Sequence, residues 1–120
     1  MDSTGWELLL PEGMLNYFEV SSSEKKEEGY WISLVEKELH PAEFMGDKLT
    51  YKGFFKTITV KDFPIRGKAC YLKVKRRRWY NESLDKVVSR DWELVAKGTR
   101  MTQEFASFLK AVHRYNSGKL

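Results

Sequence analysis

Hydrophobic and polar positions alternate with a period of two along residues 68–79, so the segment predicts a strand. Cys70, Leu72 and Val74 fall on one face, and Tyr71, Lys73, Lys75, Arg77 and Trp79 on the other. Asn81 and the residues up to Lys86 supply a turn, and residues 87–95 read as the returning strand of an antiparallel pair that Gly98 ends. The same period marks 54–60, where β-branched and aromatic residues predominate, with Pro64 and Gly67 as the turn that follows. Upstream, 17–20 and 30–39 read as a hairpin, joined by the polar run 21–29, which suits an exposed turn, and closed by Pro41.

Three segments carry helical spacing. In 6–18, Leu9, Leu10, Met14, Leu15 and Phe18 recur near the helical period, with Pro11 tolerable in a first turn. Residues 41–45 suit one helical turn opened by proline. The clearest helix follows Thr102, a fitting cap: Phe105, Phe108, Leu109 and Val112 form one apolar stripe. Glu104, Lys110, His113 and Arg114 lie opposite, and 116–118 provide the stop. The expected architecture is α+β: an antiparallel sheet of hairpins with a C-terminal helix packed across it and a short N-terminal helix, in a single domain over 1–120.

Charge divides this domain. Residues 1–60 carry 6 Lys and Arg against 11 Asp and Glu, whereas 61–120 carry 15 against 6, so a net charge of +4 conceals an acidic half and a strongly basic one. That asymmetry suggests a face kept for an anionic partner. Aromatic residues at 14% and hydrophobic residues at 42% argue against a disordered tail. A single cysteine, Cys70, leaves no internal disulfide or multi-cysteine zinc site and fits a reducing cytosol. No apolar run is long enough to span a membrane and no signal peptide is evident, so a soluble cytoplasmic protein is expected.

The basic strand is the candidate site. Its cationic face must stay in solvent or meet an anion, because buried unpaired ammonium groups are too costly. Lys75, Arg76, Arg77 and Arg78 put four positive charges ahead of Trp79 and Tyr80, a pattern that attracts phosphate backbones and offers rings to exposed bases. Lys73, Lys75, Arg76, Arg77 and Arg78 are the expected phosphate contacts at an exposed strand end, with Tyr71 and Trp79 as base-stacking candidates. A solvated strand face that guards an edge is the plainer alternative. Catalysis is not expected: His40 and His113 lie in separate contexts, Glu27 and Glu28 in a solvated turn, and Glu36 and Glu38 on a strand surface. No glycine-rich phosphate loop occurs, and neither a cofactor nor a small-molecule substrate is expected.

Three ordered motifs add a resemblance. Residues 62–68, DFPIRGK, then 71–78, YLKVKRRR, then Arg100, Met101 and Thr102 followed by Phe105, resemble the N-terminal region of bacterial insertion-sequence transposases, most closely the ISAon-type group. The start at Leu9 to Glu19 and the KGFF segment at 52–55 resemble that group too, so the likeness covers nearly the whole chain. Relatives with an N-terminal zinc finger hold the metal by cysteine pairs flanking the basic strand. Here Cys70 stands alone, so metal binding is not carried over, and the 81–86 turn with Trp79 and Trp92 is expected to close the hairpin by packing.

A DDE nuclease gathers three carboxylates around two divalent ions, and a domain of that kind does not fit within these 120 residues. The resemblance therefore implies a bacterial, non-catalytic module for transposition and DNA recombination. It would recognise transposon-end DNA through a basic β-hairpin, with Arg66, Lys68 and Arg100 as further DNA contacts. The catalytic part would be encoded separately or joined by frameshifting. Two other readings stay open: a protein-interaction subunit that docks that catalytic part, and a single-strand or RNA-binding domain.

Overall fold

A computed structural model describes residues 5–11, 13–92 and 103–117, with side chains of the last segment described over 105–115. Seven strands follow in chain order: β1 Phe18–Lys26, β2 Gly29–Glu36, β3 Leu49–Phe54, β4 Ile58–Ile65, β5 Lys68–Lys75, β6 Arg77–Asn81 and β7 Lys86–Val88. Helix α1 spans Gln103–Ser117. The expected α+β class holds. The Thr102 cap, the end at Gly98, residues 93–95 and Gly118 lie outside the described residues, as do the side chains of Glu104, Asn116 and Ser117.

The strands form two sheets, one ordered β1-β2-β5-β4 and the other β3-β6-β7. Two hairpins, β1–β2 and β4–β5, lie side by side in the larger sheet, which makes β2 and β5 a parallel pair within an otherwise antiparallel arrangement. The inner face of this sheet carries Val20, Ile32, Leu34, Ile58, Val60, Cys70, Leu72 and Val74, all buried. Phe105, Phe108, Leu109 and Val112 of α1 cover it, as their spacing predicts, with Met14, Phe18 and Trp92 completing the core. Burying such side chains contributes about 1.5–3 kcal/mol each.

Several expectations are corrected. The polar run 21–29 is mostly strand: β1 continues through Lys26, and only Glu27 and Glu28 form the turn. Backbone pairing needs no apolar side chain, and β2 opposite offers rings, with Lys25 over Tyr30 at 5.9 Å and Lys26 over Trp31 at 5.3 Å. The 6–18 helix is two 3-10 turns, Trp6–Leu8 and Met14–Asn16, because Pro11 and Gly13 at φ +93° interrupt it. The 41–45 turn forms as expected, as a 3-10 turn over Ala42–Phe44.

The 54–60 strand breaks after Phe54 and resumes at Ile58, where the chain passes from the smaller sheet to the larger. The 68–79 strand breaks at Arg76, where it passes back, so Lys73 and Trp79 belong to different sheets. The returning strand is shorter than expected, Lys86–Val88, but antiparallel to β6 as predicted.

Candidate nucleic-acid interface

The outer face of the larger sheet can be written from its register. One row across the strands runs Glu24, Trp31, Tyr71, Lys61, and the next runs Ser22, Ser33, Lys73, Thr59. Lys75 continues the face beside Val35. Lys61, Lys73 and Lys75 are all exposed. None of the three takes part in an ion pair among the described residues, whereas Lys26 with Glu24, Lys48 with Glu82 and Arg90 with Glu36 do. Lys75 Nζ also lies 5.5 Å from the centre of the Phe54 ring.

At the end of the β4–β5 hairpin, Ile65 pairs with Lys68 and leaves a two-residue turn. Both turn residues take positive φ, Arg66 at 53° and Gly67 at 77°, the geometry that matches strand twist in tight hairpins. Arg66 is exposed at this tip, and Lys68, the first residue of β5, is half-buried. The lysines of 68–75 thus sit in a β4–β5 hairpin, and of the expected pairing of 68–79 with 87–95 only the end in β6 is formed, with Trp79 opposite Val88. Lys61 was not anticipated, because the strand 54–60 was expected to end one residue before it.

Tyr71 stands on the outer face but is stacked on Trp31, with ring centres 4.4 Å apart and planes at 23°. Lys26 Nζ lies 5.3 Å from the Trp31 ring centre. One face of the Tyr71 ring is therefore already spent on protein. On β1, at one edge of the same sheet, a register shift between Val20 and Ser22 forms a bulge, and Ser21 Oγ donates to the Ser33 carbonyl at 3.3 Å. Ser22, Ser33, Thr57, Lys73 and Lys75 line a cup of about 250 Å³ there.

The three arginines are not an exposed strand end. Arg76 is 6% exposed, and Arg77 and Arg78 are half-buried. Their alternation meets the adjacent phenylalanines of the KGFF segment. Arg77 lies 4.9 Å from both the Tyr51 and Phe54 ring centres, and Arg76 and Arg78 lie 5.2 and 5.7 Å from Phe55. Phe55 N–H donates to the Arg76 carbonyl at 2.9 Å, which fixes the registration. Cation–π contact with these rings occupies charge that the sequence offered to phosphate.

Glu36 completes this arrangement and corrects its reading as a strand-surface acid. It shares the inward parity of Ile32 and Leu34 and is 1% exposed. The Arg77 backbone N–H donates to Glu36 Oε1 at 2.8 Å, and Arg90 Nε–H to Oε2 at 3.2 Å. Burial raises the Glu36 pKa above the ordinary carboxylate value, against the opposing pull of Arg77 and Arg90. Burial likewise lowers that of Arg76. A carboxylate in register with core residues is the sequence signal that marks such a buried counter-ion.

Trp79 is 6% exposed and packs edge-on to Tyr51 at 6.3 Å, so it presents no free ring to a base. Its packing role in the small sheet agrees with expectation, whereas Trp92 belongs to the main core, stacked on Phe18 at 5.1 Å. The 81–86 turn is held by Asn81 Oδ1, which accepts from Ser83 N–H at 2.9 Å and Leu84 N–H at 3.1 Å. Arg100 lies outside the described residues. Among the described residues no group of three His, Cys, Asp or Glu side chains is placed to hold a metal ion, and no helix is long and apolar enough to cross a membrane.

Comparison with known proteins gives no match: no family model fits the chain, and no curated protein or solved structure is significantly similar to it.

Proposed function

We propose that the chain is a non-catalytic DNA-binding module, the N-terminal region of a bacterial insertion-sequence transposase, which engages transposon-end duplex through the outer face of its larger sheet. The observation that carries this reading is the grouping of Lys61, Lys73 and Lys75, exposed on one face and in no ion pair among the described residues. Lys73 and Lys75 are two residues apart on one strand, about 6.6 Å, comparable with the separation of successive phosphates. Arg66 at the hairpin tip is positioned to reach towards a groove, and an arginine there can read a guanine edge. The motif resemblance supplies the assignment to transposon ends and to a catalytic part encoded separately or joined by frameshifting.

Duplex is favoured over single strands because the stacking candidates are engaged: Tyr71 with Trp31, and Trp79 within the small sheet. Docking of the catalytic part is a second reading, favoured by one observation. Strand β4 is an edge of its sheet, and Phe63, 58% exposed, lies beside a groove that Phe108 and Ala111 of α1 also line. Selection from a randomised duplex pool tests the leading reading. Enrichment of one motif supports recognition of element ends, and failure to retain any duplex at low salt contradicts it.

A further inference from the structure

The cup of about 250 Å³ on the outer face takes Ser22 from β1, Ser33 from β2, Lys73 and Lys75 from β5, and Thr57 from the residue immediately before β4. Ser22, Ser33 and Lys73 stand in one row across the sheet, and Thr57 precedes Ile58, which pairs with Val74 between the two lysines. The ammonium groups therefore rise from the middle of the cup, with hydroxyls on the β2 side and on the β4 side of them.

Both lysines are exposed, and neither takes part in an ion pair among the described residues. Glu19 and Glu24, exposed acids of this face, pair with Val35 and Trp31 from β1, so its negative charge follows the β1 edge while Lys61, Lys73 and Lys75 follow β4 and β5. A nucleic-acid strand is thereby directed onto the β4–β5 side. A phosphodiester within that strand carries one charge and two free oxygens, and along β5 it meets the lysines one at a time. A terminal phosphate monoester carries about −1.5 to −2 charges at neutral pH and three free oxygens. Lysine side chains whose Cα atoms stand about 6.6 Å apart on one strand are long enough to converge on it. Inside the cup it meets both ammonium groups at once, through charge-assisted hydrogen bonds, and hydroxyls on either side.

We infer that the cup is a seat for the terminal phosphate monoester of a nucleic-acid strand end, with Lys73 and Lys75 matching its charge and Ser33 and Thr57 donating to its free oxygens. The inference rests on the DNA-binding reading and adds to it a preference for phosphorylated ends. Lys61, one row further along the face, is left for the phosphodiesters that follow.

One blunt duplex tests the seat when prepared with hydroxyl ends, with a 5′-phosphate, with a 3′-phosphate, and with each phosphate capped as its methyl ester. Its affinity is measured for the wild type, K73A/K75A, Ser33→Ala and Thr57→Val, each checked for unchanged thermal melting. The wild type is expected to bind a phosphorylated end, 5′ or 3′, about 10-fold more tightly than a hydroxyl end, and to lose that gain with the methyl ester. K73A/K75A is expected to bring the ratio of the two affinities close to one, and Ser33→Ala and Thr57→Val to lower it about 3-fold each. Equal binding of phosphorylated and hydroxyl ends by the wild type overturns the seat, as does a methyl ester bound as tightly as the free phosphate. A wild-type ratio in K73A/K75A, or in both hydroxyl variants, likewise overturns it. The hydroxyl-ended duplex keeps the two readings apart: weaker binding of it by K73A/K75A leaves the lysine face standing whatever the ratio, and wild-type binding of it by K73A/K75A contradicts the DNA-binding reading itself.

Discussion

Arg77 is tied to Glu36 at two points: its backbone N–H donates to Glu36 Oε1 at 2.8 Å, and its Nε–H donates to the Glu36 carbonyl oxygen at 2.7 Å. These are the last residue of β2 and the first of β6, so the contact stitches the two sheets together at the point where the chain crosses between them. Arg90 reinforces it from the far side through Glu36 Oε2 and through its Nη2–H to the Leu39 carbonyl at 2.8 Å. The cluster that looked like a phosphate grip is therefore largely a structural joint.

Removing the acid should be costly. Glu36→Ala leaves Arg90 buried without its carboxylate and is expected to destabilise the fold by about 3–5 kcal/mol. Glu36→Gln keeps an acceptor for the Arg77 N–H and should cost less. Urea unfolding of both variants measures the difference, and equal, small losses would contradict the joint.

The arginines follow the same logic. Replacing Arg76, Arg77 and Arg78 together by Ala is expected to disrupt the smaller sheet, because each guanidinium faces Phe54 or Phe55. Near-ultraviolet circular dichroism reports the loss of the Trp79 environment. A triple variant with native dichroism and melting temperature would contradict the packing role.

This joint marks the boundary of what the sequence reveals. The α1 stripe, the 81–86 turn and the inward set Cys70, Leu72 and Val74 follow from period and turn chemistry and are present; of the turn expected at Pro64 and Gly67, Gly67 is in the turn but Pro64 lies in β4, which runs to Ile65. The break at Arg76 is not visible in the alternation, because Arg77 and Trp79 keep the same parity as Lys73 while the chain changes sheets. Nor does pattern alone separate an arginine that meets phosphate from one that meets a phenylalanine, since both partners favour a cation beside an exposed or aromatic surface. The KGFF segment and the inward parity of Glu36 carried that information, but it became legible only once β3 and β6 were seen to pair. Of the candidate contacts, Lys73, Lys75 and Arg66 keep the exposure that their reading requires.

Gly29 admits strand β2 to its parallel partner. It takes φ +153°, and a Cβ there would lie 2.3 Å from the Ala69 carbonyl oxygen, a backbone atom that cannot swing aside. Gly29→Ala is expected to cost at least ~1 kcal/mol and to weaken amide protection along β2 and β5 in hydrogen exchange. Unchanged protection of both strands would show that the pairing tolerates displacement.

Cys70 gives a pH signature. Burial, with a smaller effect of Asp62, pushes its thiol from the ordinary value of 9.0 up to about 11. The unfolded thiol therefore loses its proton first, so the stabilising contribution is fully present below 9.0 and is lost as pH rises through about 11. The urea midpoint of the wild type should fall more steeply over that interval than that of Cys70→Ala. Parallel curves would contradict the shift.

The central claim is that the outer face of the larger sheet meets nucleic-acid phosphates. The most direct measurement is the salt dependence of duplex affinity for the wild type and for K61A/K73A/K75A, with thermal melting confirming that the variant is folded. The account predicts weakened binding and a salt slope flattened by about 0.9 for each phosphate that the variant no longer neutralises. A folded variant with the affinity and slope of the wild type would contradict it.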